Sequence, residues 1–170
     1  RPMTLARWPN EGEFTRIAGY PIGQKDDHGG QLGALTNGFF YAGDRPRRWQ
    51  DTSDLWAHGY WAYDWANSYE QIASIDLEQR LVKTAPPNGH YGFRKDQRVY
   101  FLNVLEELDE PGEWFLDRKT DVLYFCPPKP MVTPDVAHGV IPETLVSLLD
   151  QPLLKLTAVS NVSFRGLILE

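Results

Sequence analysis

The chain has 170 residues, of which 42% are hydrophobic and 24% charged, and its formal net charge is −6. This composition is typical of a globular chain, and the length suffices for a domain with a real core. The acidic balance argues against nucleic acid as the main partner, because phosphate binding needs a basic surface. No apolar run approaches the roughly 20 residues of a membrane span, so no membrane partner is expected. Neutral ligands such as sugars are compatible with these properties.

Short strands separated by turns are predicted for the first 50 residues. The 13 prolines and 14 glycines of the chain divide it into short pieces, as in many all-β proteins. Strands are predicted at residues 1–9, 12–20 and 38–44. The polar, glycine-rich residues 21–36 predict a loop, and RPRRW at residues 45–49 predicts a basic turn.

The most aromatic stretch is DLWAHGYWAYDW, residues 54–65. Aromatic residues favour strands, and nothing in this stretch repeats with a helical period. Alternate side chains of a strand share a face, so Trp56, His58 and Tyr60 lie together on a candidate exposed or cleft side. The opposite face then consists of Leu55, Ala57, Gly59 and Trp61.

Strand alternation continues over residues 68–84 and places Ile75 and Leu77 on one face and Ile72 on the other. A further strand is predicted at residues 97–104. Asn103 and Glu106 have the spacing of a capping box, which predicts a helix of one or two turns.

A β-hairpin is predicted next, with arms Glu113–Leu116 and Val122–Cys126 around a polar turn. Cys126 is the only cysteine, so no internal disulfide can form, and its apolar neighbours predict a buried thiol. The proline-rich residues 127–135 predict a connector that cannot pair within a sheet.

The last part of the chain carries short apolar strands separated by small polar turns. The predicted strands are Leu145–Leu149, Leu153–Leu156 and Val162–Leu169. Short strands with Asn and Gly corners are typical of the rungs of a parallel β-helix. Several rungs must stack to bury a core, so we expect this chain to be a piece of a longer protein.

Aromatic rings beside carboxylates and an imidazole are the groups that a sugar site needs. For any single tryptophan, however, packing in a core is the more common role. Glycoside hydrolysis requires two carboxylates about 5–5.5 or 6.5–9.5 Å apart, and Asp54 with Asp64 is the pair nearest the aromatics. The acidic run at residues 106–110 (EELDE) is expected to be a solvated helix end.

Other chemistry has weaker support in the sequence. The four histidines are scattered and lack zinc-ligand spacing, and residues 26–30 (DDHGG) lack a calcium-loop pattern. No metal and no cofactor are therefore expected. Arg45 is a candidate to bind an acidic sugar, although salt bridging on an acidic protein is the simpler explanation for RPRRW.

Four segments, taken in chain order, resemble a known family. They are MTLARWPN (residues 3–10), DLWAHGYWAYDWA (54–66), FLNVLEELDEPGEWFLDRKTDVLYFCPP (101–128) and NVSFRGLILE (161–170). This order resembles right-handed parallel β-helix proteins related to glycoside hydrolase family 141, in which a mostly β insertion domain interrupts the chain near the start of the β-helix. The resemblance implies a mainly β fold: a sandwich- or barrel-like insertion domain with one short helix at residues 1–130, then a connector and opening β-helix rungs at residues 131–170.

The resemblance also implies a secreted or periplasmic carbohydrate-active enzyme that acts on plant cell-wall or related polysaccharide. Its catalytic carboxylates would lie in later rungs, outside these residues, so no catalytic residue is assigned and no turnover is expected from this piece alone. The expected partners are a polysaccharide or oligosaccharide and the remainder of the β-helix chain. The candidate substrate contacts are Asp54, Trp56, His58, Trp61 and Trp65.

Two other functions remain open. A carbohydrate-binding module would bind sugar by itself, through exposed aromatic side chains. A structural cap or oligomerisation domain would bury the same aromatic side chains and bind no ligand.

Overall fold

The computed structural model describes residues 2–26, 29–128, 151–152 and 154–166. The chain divides into two compact units, a larger one within residues 3–129 and a smaller one within residues 130–170. No helix in the described ranges is long and apolar enough to cross a membrane.

The described residues of the larger unit form twelve strands. They are β1 (Thr4–Leu5), β2 (Arg7–Trp8), β3 (Thr15–Gly19), β4 (Gly23–Lys25), β5 (Gln31–Gly33), β6 (Phe39–Tyr41), β7 (Trp56–Tyr63), β8 (Ala66–Asp76), β9 (Leu81–Thr84), β10 (Arg98–Leu102), β11 (Glu113–Asp117) and β12 (Val122–Phe125). Short 3-10 turns occur at Leu35–Asn37, Arg45–Arg48 and Leu105–Glu107. The mainly β prediction is confirmed.

Six strands close into a barrel in the order β10-β3-β6-β9-β8-β7, and β7 pairs with β10 to complete it. All the barrel pairings are antiparallel. Closure leaves no free edge in the ring. Of the two architectures that the sequence left open, sandwich or barrel, the chain adopts the barrel.

The inward-facing side chains of the strands fill the barrel interior. In β7, Ala57 and Trp61 belong to the core, whereas His58 and Tyr60 point outward. The predicted alternation is therefore confirmed, but the expectation that the His58 face is an exposed or cleft side is wrong for His58, which is buried against neighbouring rings. Further core side chains come from the other strands and from the loops, namely Ile17, Phe39, Tyr41, Trp49, Leu55, Ile72, Val82, Phe93, Val99, Phe101 and Val104.

Strand β8 does not keep one alternation along its length. Ile72 is buried, Ala73 and Ser74 are both exposed, and Ile75 again packs against the core. The pairing with β9 shifts register between Ile72 and Ser74. A bulge adds one residue and reverses the parity, so the prediction that Ile75 faces opposite to Ile72 was wrong.

A second, three-stranded sheet has the order β1-β11-β12. β1 and β11 are parallel, and β11 and β12 form the predicted hairpin. Cys126, which follows β12, is half-buried rather than buried. The polar segment predicted as a loop also contains a hairpin, β4-β5. Backbone hydrogen bonds can form this ladder without an apolar face, so hydrophobic alternation gave no signal of it.

The predicted capping box at Asn103 is wrong. Asn103 has a φ of +63°, and the single 3-10 turn Leu105–Glu107 begins after Val104, which makes no side-chain cap. The Asn103 amide instead donates to the carbonyl and the carboxylate of Asp54, both at 2.9 Å.

The described residues of the smaller unit, 151–152 and 154–166, are exposed and contain no strand. An opening β-helix rung is thus not shown for the described parts of Leu153–Leu156 and Val162–Leu169. The predicted strand Leu145–Leu149 and residues 129–135 of the connector lie outside the described residues.

Candidate functional site

The five predicted contact residues lie on or beside β7, but the barrel distributes them among different environments. Asp54 precedes β7 and Trp56 begins it. His58 lies on the outer wall of the barrel, and Trp61 lies inside it. Trp65 lies in the turn between β7 and β8.

The Asp54 carboxylate links the barrel to the β11–β12 hairpin. It accepts hydrogen bonds from the Trp56 indole N–H at 3.2 Å, from Asn103 at 2.9 Å and from Arg118 Nε at 2.8 Å. With both oxygens engaged, Asp54 and Trp56 hold this junction together. The two residues are partly buried contacts of the fold rather than free groups awaiting a ligand.

A pocket lies at this junction, and three acidic and two basic side chains line it. Its lining includes Asp51, Asp54, Asp117, Arg118 and Lys119. Lys119 Nζ lies 2.6 Å from an oxygen of Asp51 and, with the backbone N–H of Ser53, lowers the pKa of Asp51 to about 2. A carboxyl with that pKa is ionised at neutral pH and is a poor general acid.

Asp54 and Asp64 cannot act as a pair on one glycosidic bond. They flank opposite ends of the eight-residue strand β7, which separates them by roughly 25 Å at the rise of a β-strand. Hydrolysis requires carboxylates less than about 10 Å apart. Asp64 instead forms an ion pair with Arg98 at 3.0 Å.

The acidic run at residues 106–110 contains a buried anchor, which corrects the expectation of a solvated helix end. The Glu107 side chain is 0% exposed. It accepts hydrogen bonds from Arg45 Nη2 at 2.6 Å and from the Trp49 indole N–H at 2.5 Å. Arg45 also pairs with Asp109 at 3.1 Å. The Arg45 guanidinium is therefore already paired with Glu107 and Asp109. The structure offers no support for the interpretation that Arg45 binds an acidic sugar.

His58 is packed into the outer wall with only 8% of its surface exposed. Its ring lies 4.6 Å from the Tyr69 ring and 4.9 Å from the Tyr100 ring. Nε2 lies 3.0 Å from Asn67 Oδ1, whereas Nδ1 has no hydrogen-bond partner among the described residues. Burial, with a contribution from the Arg7 guanidinium, lowers the pKa of His58. A neutral imidazole at neutral pH supports the rings around it and is not a proton donor for catalysis.

Arginine side chains cover the aromatic rings beside His58. The Arg7 guanidinium carbon lies 3.5 Å from the centroid of Tyr100, and that of Arg98 lies 4.1 Å from the centroid of Tyr60. Burial raises the pKa of Tyr100 and lowers that of Arg7. This part of the wall is a closed layer of cation–π and ring contacts.

Trp61 belongs to the core, where 5% of its surface is exposed. Its indole N–H donates to Ser68 Oγ at 2.9 Å, and the Ser68 hydroxyl donates to Glu70 Oε1 at 2.6 Å. A Cβ atom at Gly59 would lie 2.6 Å from Cε3 of Trp61, so the indole covers the glycine. The structure thus places Trp61 away from any surface that a polymer could contact.

Trp65 is 70% exposed and lies in an aromatic cluster at the tip of the β7–β8 hairpin. Its ring stacks on Tyr63 with centroids 5.3 Å apart and an interplanar angle of 11°. Tyr91 meets it edge-on at 5.2 Å and 72°. The Arg94 guanidinium carbon lies 4.9 Å from the centroid of Tyr63. We call Tyr63, Trp65 and Tyr91 the hairpin platform.

The sequence analysis missed Tyr63 and Tyr91 as members of this cluster. Tyr63 lies in the aromatic stretch, and its position two residues before Trp65 was a usable signal. Tyr91 comes from the loop before β10, and no local pattern links it to the hairpin. Among the described residues, no group of three or more His, Cys, Asp or Glu side chains is arranged to hold a metal ion.

Comparison with known proteins identified no relative of this chain. No family model, no curated protein and no solved structure matches this chain. The resemblance to β-helix glycoside hydrolases stays a prediction, and the case for function depends on the geometry of the site.

Proposed function

We propose that this chain is a non-catalytic, carbohydrate-contacting accessory domain of a secreted glycoside hydrolase of the β-helix type. The barrel binds polysaccharide and shapes the substrate cleft, and catalytic carboxylates come from other parts of the enzyme. The observation that carries the proposal is the exposed Trp65 ring, which is held in place by Tyr63 and Tyr91.

The hairpin platform has the properties of a sugar-stacking surface. A pyranose ring presents an apolar C–H face, which packs on an aromatic face while its hydroxyls reach polar neighbours. Because Tyr63 covers one face of Trp65 and the residue is largely exposed, the other face is open to solvent. A ring that is already held by its neighbours loses little conformational freedom on binding, and this favours affinity.

The acids near the aromatic residues support a binding role rather than a catalytic one. Asp54 pairs with Arg118, Asp64 with Arg98 and Asp51 with Lys119. Each of these carboxylates has a cation within 3.0 Å. For Asp51 the pairing lowers the pKa, which is the opposite of what the general acid of glycoside hydrolysis needs.

A carbohydrate-binding module that acts by itself is the second candidate function. The observation that favours it is that the platform is built entirely from residues 63–91 of the barrel unit. A purely structural cap is favoured by a different observation, the burial of Trp61 in the core. The accessory domain, the binding module and the structural cap differ in whether sugar binds and in whether binding requires the downstream sequence.

The test is a tryptophan fluorescence titration with xylo- and fuco-oligosaccharides. It compares this chain with the chain extended by its native downstream sequence, each also as Trp65→Ala. Tyr124→Ala is the matched control, because Tyr124 is an exposed aromatic residue of the other sheet.

A response in the extended chain alone, lost in Trp65→Ala and kept in Tyr124→Ala, is the result expected for the accessory domain. A response in both chains favours the independent binding module. The absence of a response in both chains contradicts a carbohydrate-binding role and leaves the structural cap.

A further inference from the structure

The hairpin platform offers one ring face on which a ligand can stack. Tyr63 and Trp65 are stacked, so each covers one face of the other. Tyr91 lies 5.2 Å from Trp65 and 5.5 Å from Tyr63, at interplanar angles of 72° and 81°. Because these two distances are nearly equal, Tyr91 stands beside the stack and not over the outer face of Trp65. That outer face, on a residue that is 70% exposed, is where a ligand ring can lie.

The other two rings of the platform support this face and do not extend it. The half-buried Tyr63 ring is contacted by Trp65, by Tyr91 and by the Arg94 guanidinium, whose carbon lies 4.9 Å from the ring centroid. The Tyr63 hydroxyl donates to Asp26 at 3.4 Å. Tyr91 is steeply inclined to Trp65, so the two rings do not form one flat surface. A second ring of a sugar chain therefore finds no coplanar aromatic face beside the first.

Tyr69 is the next exposed aromatic residue of this hairpin, and its side chain lies on the other face of the sheet. Tyr63, which supports Trp65, pairs directly with Ala66 across the hairpin, and directly paired side chains share a face. Tyr69 follows Ala66 by three positions in β8, so it points to the opposite face. There it packs on the His58 ring at 4.6 Å. A sugar chain stacked on Trp65 therefore does not continue onto Tyr69.

We propose that the hairpin platform is a single subsite, which holds one pyranose ring of a longer carbohydrate on the outer face of Trp65. This inference rests on the proposed function and deepens it, because it assigns how much of the ligand the platform contacts. The remaining rings of the ligand are held by other parts of the enzyme. One stacked ring offsets little of the translational and rotational freedom that a ligand loses on binding, so the platform needs those other contacts to retain a soluble sugar.

The charges around the platform favour an uncharged ring. Arg94, which lies over Tyr63, has its Nη2 atom 3.7 Å from an oxygen of Asp26. In the turn next to Trp65, Asp64 pairs with Arg98 at 3.0 Å. A uronic acid would compete with these carboxylates for the two arginines, and the net charge of −6 would repel it. An uncharged pyranose meets neither obstacle, and its C–H face suits the indole.

The experiment is calorimetric titration of the chain extended by its native downstream sequence, as wild type and as Trp65→Ala. The ligands are xylo- and fuco-oligosaccharides of increasing length, from the disaccharide to the hexasaccharide. Ligands too short to reach the platform should bind both proteins equally. From the length at which one ring reaches Trp65, the variant should bind about tenfold more weakly. A single subsite requires that this factor stays constant for every longer ligand.

Tyr69→Ala is the matched control, because it removes a ring that is 59% exposed from the opposite face of the same hairpin. It should leave every dissociation constant unchanged. Tyr63→Phe keeps the supporting ring and should bind like the wild type, whereas Tyr63→Ala should weaken binding of the same ligands as Trp65→Ala. Thermal melts show that each variant is folded.

Two results would overturn the single subsite and leave the proposed function intact. One is a factor for Trp65→Ala that grows over two or more successive ligand lengths, and the other is weaker binding in Tyr69→Ala. If ligands bind and Trp65→Ala changes no dissociation constant, the platform is not a sugar contact, and the subsite is refuted together with the observation that carries the proposed function. If no oligosaccharide binds the extended chain, the proposed function and the subsite fail together.

Discussion

Trp61 and Trp65 are four residues apart in one hairpin and have opposite surroundings. Trp61 lies in the barrel core and donates its indole N–H to Ser68, whereas Trp65 is largely exposed on the hairpin platform. Both rings contact other aromatic side chains, Phe93 for Trp61 and Tyr63 for Trp65. The difference between them is therefore not aromatic packing but location, since Trp61 lies inside the barrel and Trp65 at the exposed tip of the hairpin.

The turn between the strands produces this difference. The β7–β8 pairing shifts register between Gly59 and Tyr63, so simple alternation does not continue to the tip. Beyond the shift, the chain reverses through Asp64 and Trp65, and the largely exposed Trp65 ring stacks on Tyr63. A short aromatic run can thus supply a core residue and a surface residue within one turn.

The largest expected effect is on stability when Trp61 is truncated. Trp61→Ala should lower the free energy of unfolding by about 3–5 kcal/mol, because it leaves a cavity in the core and removes the hydrogen bond that the indole donates to Ser68. Trp65→Ala should change it by less than about 0.5 kcal/mol. Urea unfolding monitored by circular dichroism measures both. Equal losses in the two variants would show that the platform is part of the core.

An intermediate loss of stability is expected when a methyl group is added at Gly59, which the Trp61 ring covers. Gly59→Ala places a Cβ atom 2.6 Å from the indole and should cost about 1–3 kcal/mol of unfolding free energy. Gly19→Ala is the matched control, because its Cβ would lie 3.7 Å from Phe40, an ordinary contact. The midpoints of urea unfolding, measured for Gly59→Ala, Gly19→Ala and the wild type, give the loss of stability in each variant. A neutral Gly59→Ala would mean that the Trp61 ring can move away from β7.

The smallest effect is a pH dependence that arises from His58 on the outer wall. Its pKa is lowered in the folded state, mainly by burial, so the folded chain binds fewer protons than the unfolded chain near pH 6.5. Stability is therefore fully present above about pH 6.5 and falls as the pH is lowered toward the folded-state pKa, by at most about 1.4 kcal/mol per pH unit.

The check is to follow the difference in stability between wild type and His58→Phe from pH 7.5 to pH 5.5. The wild type should lose stability relative to the variant as the pH falls. His90→Ala, at an exposed histidine, should leave the wild-type profile unchanged. A constant difference between wild type and His58→Phe would contradict a lowered pKa at His58.

Local patterns predicted the strands that carry their own alternation. The faces of β7, the β11–β12 hairpin and the basic turn at Arg45–Arg48 all follow from short-range sequence rules. The β4–β5 hairpin and the β8 bulge were missed for a common reason. Both depend on backbone pairing with a partner strand, which side-chain polarity does not encode.

The candidate site was predictable only in part. An aromatic-rich stretch indicated β7 and the following turn, and Trp65 was among the predicted contacts. The roles of Asp54 and Asn103 were not predictable, since Arg118 and Asn103 reach Asp54 from distant parts of the chain. Glu107 was misassigned for the same reason: its partners Arg45 and Trp49 are about 60 positions away in sequence.

The mainly β content of the chain, the two faces of β7 and the concentration of aromatic rings in residues 54–65 are properties of the local sequence. These properties follow from composition and from the two-residue period of a strand. Long-range contacts, in contrast, close the strands into a barrel, bury Trp61 while Trp65 stays exposed, and bring Tyr91 to the platform. Those outcomes depend on pairing register and on contacts between distant segments, and their free energy exists only once the segments meet.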